Sequence, residues 1–299
     1  MSRFVLLLPC VAACRCAAPA PVVLPPLPAD LAAVLDVDGG VAVIAAVGDI
    51  SDTDLAGQVH TANLIADAGY EAVLLLGDNQ YLSGGLADYR KYFHATYGRF
   101  FDKLRPVPGN HEYLTPNASG YFEYFGEKAG KPGEGWYSFD IGAWHIVALN
   151  TNNGCRSVAC GADSDQLKWL RADLTKNRHR CTLAFWHHPR FSSGSGHGNF
   201  SGADALWRTF AQFGGDVVLN GHEHFYERFE PIDGVREFIV GTGGKSHYDM
   251  RAPPDPKSAV RNIDTFGVLE LTLKPGSYDW RFVPVPGSTF TDSGSSPCH

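Results

Sequence analysis

The sequence predicts an α/β fold in which mixed β-sheets stack as a sandwich, and three patterns support this prediction. Four continuous apolar runs are typical of buried strands. Helical patterns alternate with these runs, as they do in βαβ units. The second half of the chain contains further strand patterns with no helix between them, which indicates antiparallel pairing. The sheets are therefore expected to combine parallel and antiparallel strands.

The four apolar runs are rich in aliphatic and β-branched residues, and each ends in Asp or His. They are VAVIAAVGD (41–49), AVLLLGD (72–78), CTLAFWH (181–187) and VVLNGH (217–222). Continuous apolar strands are typical of a sheet that is covered on both faces. Because the carboxyl ends of parallel strands meet at one edge of a sheet, we expect these polar side chains to converge there.

Periodicity also places the helices and the remaining strands. Helices are expected at about 54–69, 86–104, 163–177 and 202–213. The other strand patterns are WYSFDIG and AWHIVALN within 136–150, then YERFEP, REFIVGTGG, GVLELTLK and DWRFVPV within 226–285. Clusters of Gly with Asn or Ser at 152–161 and 192–202 are predicted loops at the edge where the polar strand ends meet, so they should form its rim.

The first 18 residues have the pattern of a targeting segment. Arg3 precedes an apolar stretch at 4–13 that is too short to span a bilayer. The sequence Val11-Ala12-Ala13-Cys14 resembles a bacterial lipoprotein signal, which would put a lipid anchor on the cysteine. Cleavage after a small residue such as Ala18 is the alternative, and the residues leave both open.

The rest of the chain is expected to form a Pro-rich linker at 19–38 and one domain at 39–299. Four cysteines lie in that domain: Cys155, Cys160, Cys181 and Cys298. An even number after a targeting segment favours two disulfides, with Cys155 and Cys160 closing a short loop. Four unrelated thiols are the alternative. The chain is thus expected outside the cytoplasm, either periplasmic, secreted or lipid-anchored at the cell surface.

Amino-acid composition limits the classes of partner that the chain is expected to bind. Its 299 residues are 44% hydrophobic, which is enough to bury a large core. The net charge is −7, and no run of Lys and Arg interleaved with aromatic residues occurs. Nucleic-acid binding is therefore not expected, because it relies on cationic contacts to phosphates. The sequence carries no signal for an oligomeric state.

Seven side chains suited to metal binding lie at or near the ends of predicted strands. They are Asp49, Asp78, Tyr81, Asn110, His187, His222 and His224, in the motifs GDI, GDNQY, GNHE, WHHP and GHEH. Two carboxylates brought together repel unless a proton or a cation lies between them. Imidazole, carboxylate and amide ligands suit Zn²⁺, Fe or Mn²⁺, and seven ligands are too many for one ion. Two metal ions are therefore predicted.

The ordered set GD, GDxxY, GNHE, HxP and GHxH resembles the calcineurin-like metallophosphoesterase superfamily over about residues 43–245, and more narrowly its purple acid phosphatase branch. Tyr81, three residues after Asp78, and Ser51, at a position where most of the superfamily has a His ligand, indicate that branch. The branch commonly has Gly at that position, and simple aromatic packing is the alternative role for Tyr81. The resemblance implies a four-layer αββα sandwich of two mixed sheets.

The resemblance also implies how the ligands divide between two ions. Fe(III) is expected at Asp49, Asp78, Tyr81 and His224. A divalent ion, Fe, Zn or Mn, is expected at Asp78, Asn110, His187 and His222, so that Asp78 bridges both. His187 is preferred to His188 because the family ligand lies two residues before Pro189, and strand alternation lets only one of the pair face the site. A swap of the two is the alternative.

The implied activity is hydrolysis of phosphate monoesters in small substrates by a hydroxide generated at the metal pair. His111 is expected to stabilise the transition state or protonate the leaving group, or else to bond to Asp78. His197 is expected to reach the substrate, with solvent exposure as the alternative. Glu112 and Glu223 are expected to orient neighbours or face solvent. Phosphodiester hydrolysis, cyclic nucleotides included, is the alternative function, and phosphate binding without turnover is a third.

Overall fold

Two mixed sheets organise the part of the chain that the computed structural model describes, which is residues 24–27, 39–53 and 56–299. The predicted targeting segment at 1–18, with its Cys14, lies outside the described residues, and so does most of the predicted linker at 19–38. No helix among the described residues has the length and apolar character that crossing a bilayer requires.

The strands are numbered in chain order. They are β1 (Ala42–Val47), β2 (Ala72–Leu76), β3 (Leu104–Val107), β4 (Tyr137–Ile141), β5 (Trp144–Ala148), β6 (Cys181–Phe185), β7 (Val217–Asn220), β8 (Tyr226–Phe229), β9 (Arg236–Val240), β10 (Ser258–Asn262), β11 (Gly267–Lys274), β12 (Ser277–Pro284) and β13 (Ser293–Pro297). One sheet has the order β13-β12-β11-β1-β2-β3, and the other β10-β8-β9-β7-β6-β5-β4. In the first sheet β1, β2 and β3 run parallel, and in the second β5, β6, β7 and β9 do. All other pairs are antiparallel.

The α-helices are α1 (Ala56–Asp67), α2 (Leu86–Asp88), α3 (His94–Thr96), α4 (Ser119–Phe125), α5 (Asp165–Lys176) and α6 (Asp204–Gln212). A π-helical turn at Tyr89–Phe93 joins α2 to α3, and a 3₁₀ segment at Tyr97–Lys103 follows. Shorter 3₁₀ turns lie at Glu112–Leu114, Pro116–Ala118, Gly126–Ala129 and Ser201–Ala203. The best-defined N-terminus is that of α5, where the Ser164 hydroxyl accepts the Leu167 N–H.

Successive side chains of a strand point to opposite faces of its sheet, and this alternation separates the hydrophobic cores of the sandwich. In β1, Ile44 and Ala46 face the core between the two sheets, whereas Ala45 and Val47 face the core beneath the helices that cover the first sheet. A third core, formed by α5, α6 and the outer face of the second sheet, includes Trp207. The four-layer αββα sandwich of two mixed sheets predicted for this chain is confirmed.

The four apolar runs all form buried strands, and the four predicted helical regions are helical. The predicted region 86–104 is broken into α, π and 3₁₀ turns. Strands β3, β10 and β13 and helix α4 were not expected. The three strands are sheet edges, where one side of the ladder needs no partner, so Pro106 and the polar sequences of β10 and β13 are tolerated there.

Both expected disulfides are present. Cys155 pairs with Cys160 in the rim loop, and Cys181 at the start of β6 pairs with Cys298 after β13. The second bond joins residues 117 positions apart in sequence. It links β6 of the seven-stranded sheet to the segment after β13, an edge strand of the six-stranded sheet. Closing so long a loop restricts the unfolded chain, which in the entropy model contributes roughly 4 to 5 kcal/mol to stability.

Candidate metal centre

All seven predicted metal-binding residues lie at one edge of the sandwich. Asp49 and Asp78 each lie two residues beyond the end of a parallel strand of the first sheet, β1 and β2. His187 and His222 occupy the same position beyond β6 and β7 of the second sheet. The predicted convergence of polar strand ends therefore holds for both sheets, and the centre lies where their carboxyl edges meet.

The first group of ligand atoms surrounds the hydroxyl of Tyr81. Its oxygen lies 2.9 Å from Asp49 Oδ1, 3.1 Å from Asp78 Oδ2 and 2.9 Å from His224 Nε2. His224 Nε2 is 3.3 Å from Asp49 Oδ1. Neighbouring ligands of one ion with bonds near 2.1 Å stand roughly 3 to 3.4 Å apart, so these spacings fit a metal site.

The second group shares an oxygen with the first. Asp78 Oδ2, which faces Tyr81, also lies 3.4 Å from His187 Nε2, and that nitrogen is 3.1 Å from Asn110 Oδ1. One ligand atom from each of Asp78, His187 and His222 lies within 4.8 Å of the others. Asp78 therefore stands between the two groups, where a bridging carboxylate would be.

Two histidines direct lone pairs into this cluster of oxygens. His187 Nδ1 lies 2.8 Å from the Leu76 carbonyl, and His224 Nδ1 lies 2.7 Å from the Ser246 carbonyl. A carbonyl only accepts, so each Nδ1 carries the hydrogen, and Nε2 of the neutral ring presents its lone pair to carboxylate, amide and phenol oxygens. The Tyr81 hydroxyl can donate to His224 Nε2, but His187 Nε2 faces the acceptor oxygens of Asp78 and Asn110, and acceptors that face acceptors need a cation or an added proton between them. The residues therefore fit a metal pair.

The electrostatics of the cluster agree with this chemistry. Burial, together with the charges of Asp49 and Asp78, raises the pKa of Tyr81 well above that of free tyrosine, so its phenolate needs a cation to form near neutral pH. Burial lowers the pKa of His187, but Asp78 outweighs it and raises the value to about 9. Asp78 thus favours a positive charge beside it, which either a proton on His187 or a metal ion held by the neutral ring would supply.

Close approach explains the glycine before two of the ligands. A Cβ on Gly109 would stand 2.1 Å from Asp78 Oδ1, and one on Gly221 would stand 2.6 Å from Asp49 Oδ2. Asp49, Asp78 and His222 also have positive φ angles of 58°, 48° and 70°. Such backbone is strained for residues with a side chain and concentrates at functional sites.

Glu112 holds two ligand-bearing loops together, a role that the sequence left as one of two alternatives. Its buried carboxylate accepts five hydrogen bonds, from the backbone N–H groups of Asp78, Asn79, Gln80 and Gly109 and from the hydroxyl of Tyr89. Burial and the charge of Asp78 raise the pKa of Glu112 to about 7, although the hydrogen bonds lower it. The loop after β2 and the loop after β3 are thereby fixed relative to each other.

His111 lies beside the candidate centre and bonds to Asp78 through its backbone N–H, and the catalytic role expected of its ring stays a prediction. Its backbone N–H donates to Asp78 Oδ1 at 2.9 Å, and its Nε2 lies 3.9 Å from Asp78 Oδ2. Nδ1 is 2.6 Å from the Leu82 carbonyl, which places the hydrogen on Nδ1. The ring centre lies 4.4 Å from that of Tyr81 and a quarter of the side chain is exposed, so the imidazole is accessible from solvent beside the candidate centre.

Ser51 and His188 occupy supporting positions. Ser51 donates its hydroxyl to Gln80 Oε1 at 2.8 Å, and its carbonyl accepts the Tyr81 N–H at 2.7 Å, so this departure from the family pattern joins the first two loops. His188 is buried, and its Nδ1 is 3.0 Å from Thr151 Oγ1. The ligand geometry therefore favours His187 over His188.

Three further residues of the site region carry no motif, or only a weak one, in the sequence. His197 is 44% exposed and lies over His222 with ring centres 4.3 Å apart. Tyr248 stacks on His224 at 3.8 Å, and the Lys245 ammonium lies 4.9 Å from the Tyr81 ring centre. The glycine-rich loop indicated His197, but Tyr248 and Lys245 reach the site from far along the chain and had no local signal.

Comparison with known proteins agrees with this geometry. The family model described as calcineurin-like phosphoesterase matches residues 42–226. Purple acid phosphatase 15 of Arabidopsis thaliana is 29% identical over 290 residues, an alignment that covers 81% of this chain and 52% of the relative. The chain thus spans about half the length of this relative.

Two solved structures show the same fold. A purple acid phosphatase from yellow lupin seeds, PPD1, matches with a TM-score of 0.73 at 17% identity, over 86% of this chain and 54% of that one. GAP50, described as the anchor in the inner membrane complex of Plasmodium, matches with a TM-score of 0.71 at 17% identity, over 87% and 90% of the two chains. These likenesses establish the fold alone.

The predicted family resemblance is confirmed by the family model, which covers more than half of the chain, and the sequence relatives include purple acid phosphatases, as expected. The matched segment contains all seven residues of the candidate centre and ends two residues after His224. The chain therefore belongs to the calcineurin-like phosphoesterase family.

Proposed function

We propose that this protein is a dinuclear metallohydrolase that cleaves phosphate monoesters in small substrates. The observation that carries the proposal is the position of Asp78 Oδ2, which lies between Tyr81 on one side and His187 on the other. A bridging carboxylate oxygen that lies next to the other ligand atoms of both ions is the arrangement that a metal pair requires. The similarity to purple acid phosphatases favours the monoester.

The proposed ligands follow from the two groups of atoms. Fe(III) would be held by Asp49, Asp78, Tyr81 and His224, because phenolate and carboxylate oxygens suit a hard trivalent ion. A divalent Fe, Zn or Mn ion would be held by Asp78, Asn110, His187 and His222. Bound there, the two ions would supply a hydroxide nucleophile at neutral pH and neutralise charge on the phosphate.

The remaining residues bind and orient the substrate or move protons. His111 carries its hydrogen on Nδ1 through the Leu82 carbonyl, so Nε2 is the ring nitrogen that would exchange a proton with a leaving oxygen. His197 lies over the candidate ligand His222, with ring centres 4.3 Å apart. The two imidazoles are therefore proposed as the catalytic groups that contact the phosphoryl group and the leaving group.

Parallel assays separate the monoester from the diester. We expect the metallated protein to hydrolyse p-nitrophenyl phosphate with a higher kcat/KM than bis(p-nitrophenyl) phosphate, since the same metal site supports both reactions and only the surrounding loops discriminate between them. A clear preference for the bis ester would replace the monoesterase proposal by a phosphodiesterase. Hydrolysis of neither ester by fully metallated protein would favour a phosphate-binding homologue without turnover.

We propose that the protein works outside the cytoplasm. Two disulfides among the described residues support an oxidising compartment, because such bonds are rare where thiols are kept reduced. Fractionation of the producing cell, with the protein detected by antibody, tests this proposal. Recovery of the protein in the cytosol with free thiols would contradict it.

A further inference from the structure

A buried carboxylate lies between two of the candidate ligands. Glu223 separates His222 from His224 and has no exposed surface. Its Oε1 accepts hydrogen bonds from the Ser192 hydroxyl at 3.0 Å and the Gly198 N–H at 2.9 Å. Because both donors belong to the loop that carries His197, the carboxylate faces that loop and not the candidate metal centre.

The loop is shaped around this carboxylate. A Cβ on Gly194 would lie 2.4 Å from both oxygens of Glu223, so only glycine fits there. The Gly194 N–H donates to the Ser192 hydroxyl at 2.8 Å, which closes the turn. Gly194 in the SSGSGHG sequence is therefore required for close approach of the loop backbone to Glu223.

The second oxygen of Glu223 has no hydrogen-bond partner among the described residues although it is buried. The polar atom that faces it is His197 Nδ1, at 3.6 Å. A buried carboxylate oxygen without a donor is costly, and a small rotation of the half-exposed His197 ring would close the distance. With Nδ1 turned to Glu223, the Nε2 edge of the imidazole points away from the carboxylate.

We propose that Glu223 is a positioning residue for His197, which accepts the Nδ1–H of that ring and directs Nε2 to a phosphoryl group bound at the centre. This inference rests on the proposed phosphatase function. The carboxylate fixes which ring nitrogen carries the hydrogen, as carboxylates do for the histidines they contact in metal sites and catalytic triads. The preferred substrate contact is then a nitrogen held in one orientation.

Kinetics of three variants test whether Glu223 acts through His197. In Glu223→Gln the amide oxygen still accepts from the loop, but an NH₂ group replaces the oxygen that faces His197 Nδ1. We expect kcat for p-nitrophenyl phosphate to fall about tenfold with metal content unchanged. In the His197→Ala background the same change should cost no more than twofold, because its target is gone. If the two losses multiply in the double variant, the proposed coupling is wrong.

Glu227→Gln is the matched control. Glu227 is also buried and anchors the same loop, since its carboxylate accepts the Ser193 N–H at 2.8 Å, whereas the carboxylate that faces His197 is that of Glu223. We expect this variant to keep kcat within about twofold of the wild type. An equal loss in Glu227→Gln and Glu223→Gln would show that general support of the loop, and not orientation of His197, is what matters.

Imidazole ¹⁵N NMR of the zinc-loaded protein gives a readout that does not depend on activity. The His197 signals, identified by their absence in His197→Ala, should show hydrogen on Nδ1 in the wild type and a different pattern in Glu223→Gln. Hydrogen on Nε2 alone, or no change in the variant, would overturn the inference. A wild type that shows the expected pattern but hydrolyses no phosphate ester would overturn the proposed function and leave the pairing intact.

Discussion

Two groups of aspartate and histidine side chains have similar composition but opposite surroundings. Asp78, His187 and His222 meet at the carboxyl ends of the parallel strands, and one ligand atom from each lies within 4.8 Å of the others. Asp140, His145 and a third residue, His179, meet the same distance criterion at the other end of β5 and β6. Composition and spacing alone therefore do not separate a metal site from a structural cluster.

The partners of the histidines do separate them. His145 has a carboxylate 2.7 Å from each ring nitrogen, Asp140 at Nδ1 and Asp173 at Nε2. A proton on each nitrogen completes both contacts, so the second group needs no metal. In the first group the Leu76 carbonyl fixes hydrogen on Nδ1 of His187, and the lone pair of Nε2 faces oxygens. His187 therefore combines a carbonyl on one nitrogen with acceptor oxygens in front of the other, an arrangement that His145 lacks and that suits a metal ligand.

The largest expected effect is that of removing the shared carboxylate. Asp78→Asn should lose both metal ions and lower kcat for p-nitrophenyl phosphate by about 10³-fold or more, because a neutral amide replaces the carboxylate that the two ligand groups share. Asp140→Asn is the control from the second group and should retain two ions and full activity. Metal analysis of the two purified variants checks this, and equal metal loss in both would erase the distinction.

A smaller effect is expected for His111→Ala. The side chain is not a proposed ligand, so both ions should remain, while kcat should fall by roughly 10²-fold through loss of the proton donor. Steady-state kinetics combined with metal analysis of the same preparation measures both quantities. Loss of metal in parallel with activity would instead make His111 part of the metal-binding structure.

The second group should affect stability and not turnover. His145→Gln removes the charged partner of the largely buried Asp173, to which Ser138 and Asn177 still donate, and should lower the free energy of unfolding by about 2 kcal/mol near pH 6, with kcat unchanged. Burial lowers the pKa of His145, but the two carboxylates outweigh it and raise the value above that of free histidine. A raised pKa means that this contribution is complete below about pH 6.5 and is lost as pH rises through the folded value.

Urea unfolding of wild type and His145→Gln at several pH values measures that loss, and the difference between the two proteins should shrink as pH rises. A difference that is constant with pH would mean that His145 stabilises the fold as a neutral ring. The contacts of its two nitrogens with Asp140 and Asp173 would then not both be made by N–H groups.

The smallest effect is expected for the exposed partner of the same histidine. The Asp140 side chain is 55% exposed, so solvent screens its ion pair with His145. Asp140→Asn should therefore cost no more than about 1 kcal/mol of unfolding free energy. The same urea experiment measures it, and a loss as large as that of His145→Gln would show that Asp140 and not Asp173 dominates the pair.

Local sequence patterns predicted the fold and the residues that meet at the candidate centre, because each strand and the polar residue after it lie in one short segment. The run 72–78 specifies a buried strand and delivers Asp78 at its end, and the other strands with polar ends work in the same way. Edge strands such as β13, with sequence SGSSP, have no such pattern. Their place depends on the neighbouring strand and on the disulfide through Cys298.

The contacts that orient the site depend on tertiary structure and left no such signal. Glu112 belongs to the GNHE motif, but its five hydrogen bonds could not be inferred from the motif. Tyr248 lies 24 positions beyond His224, the ring on which it stacks. His145 and Asp173 meet only because α5 packs across β5. The residues that converge at the candidate centre were predictable from sequence, whereas the contacts that fix their geometry were not.

Metal analysis of untagged mature protein, with a visible spectrum of the same sample, tests the central claim most directly. Two ions per chain, one of them iron, with a broad tyrosinate charge-transfer band that disappears in Tyr81→Phe, are the expected result. Two zinc or manganese ions in a colourless protein would keep the metal pair and remove the iron assignment at Tyr81. A protein that contains no metal and takes up none would contradict the dinuclear centre itself.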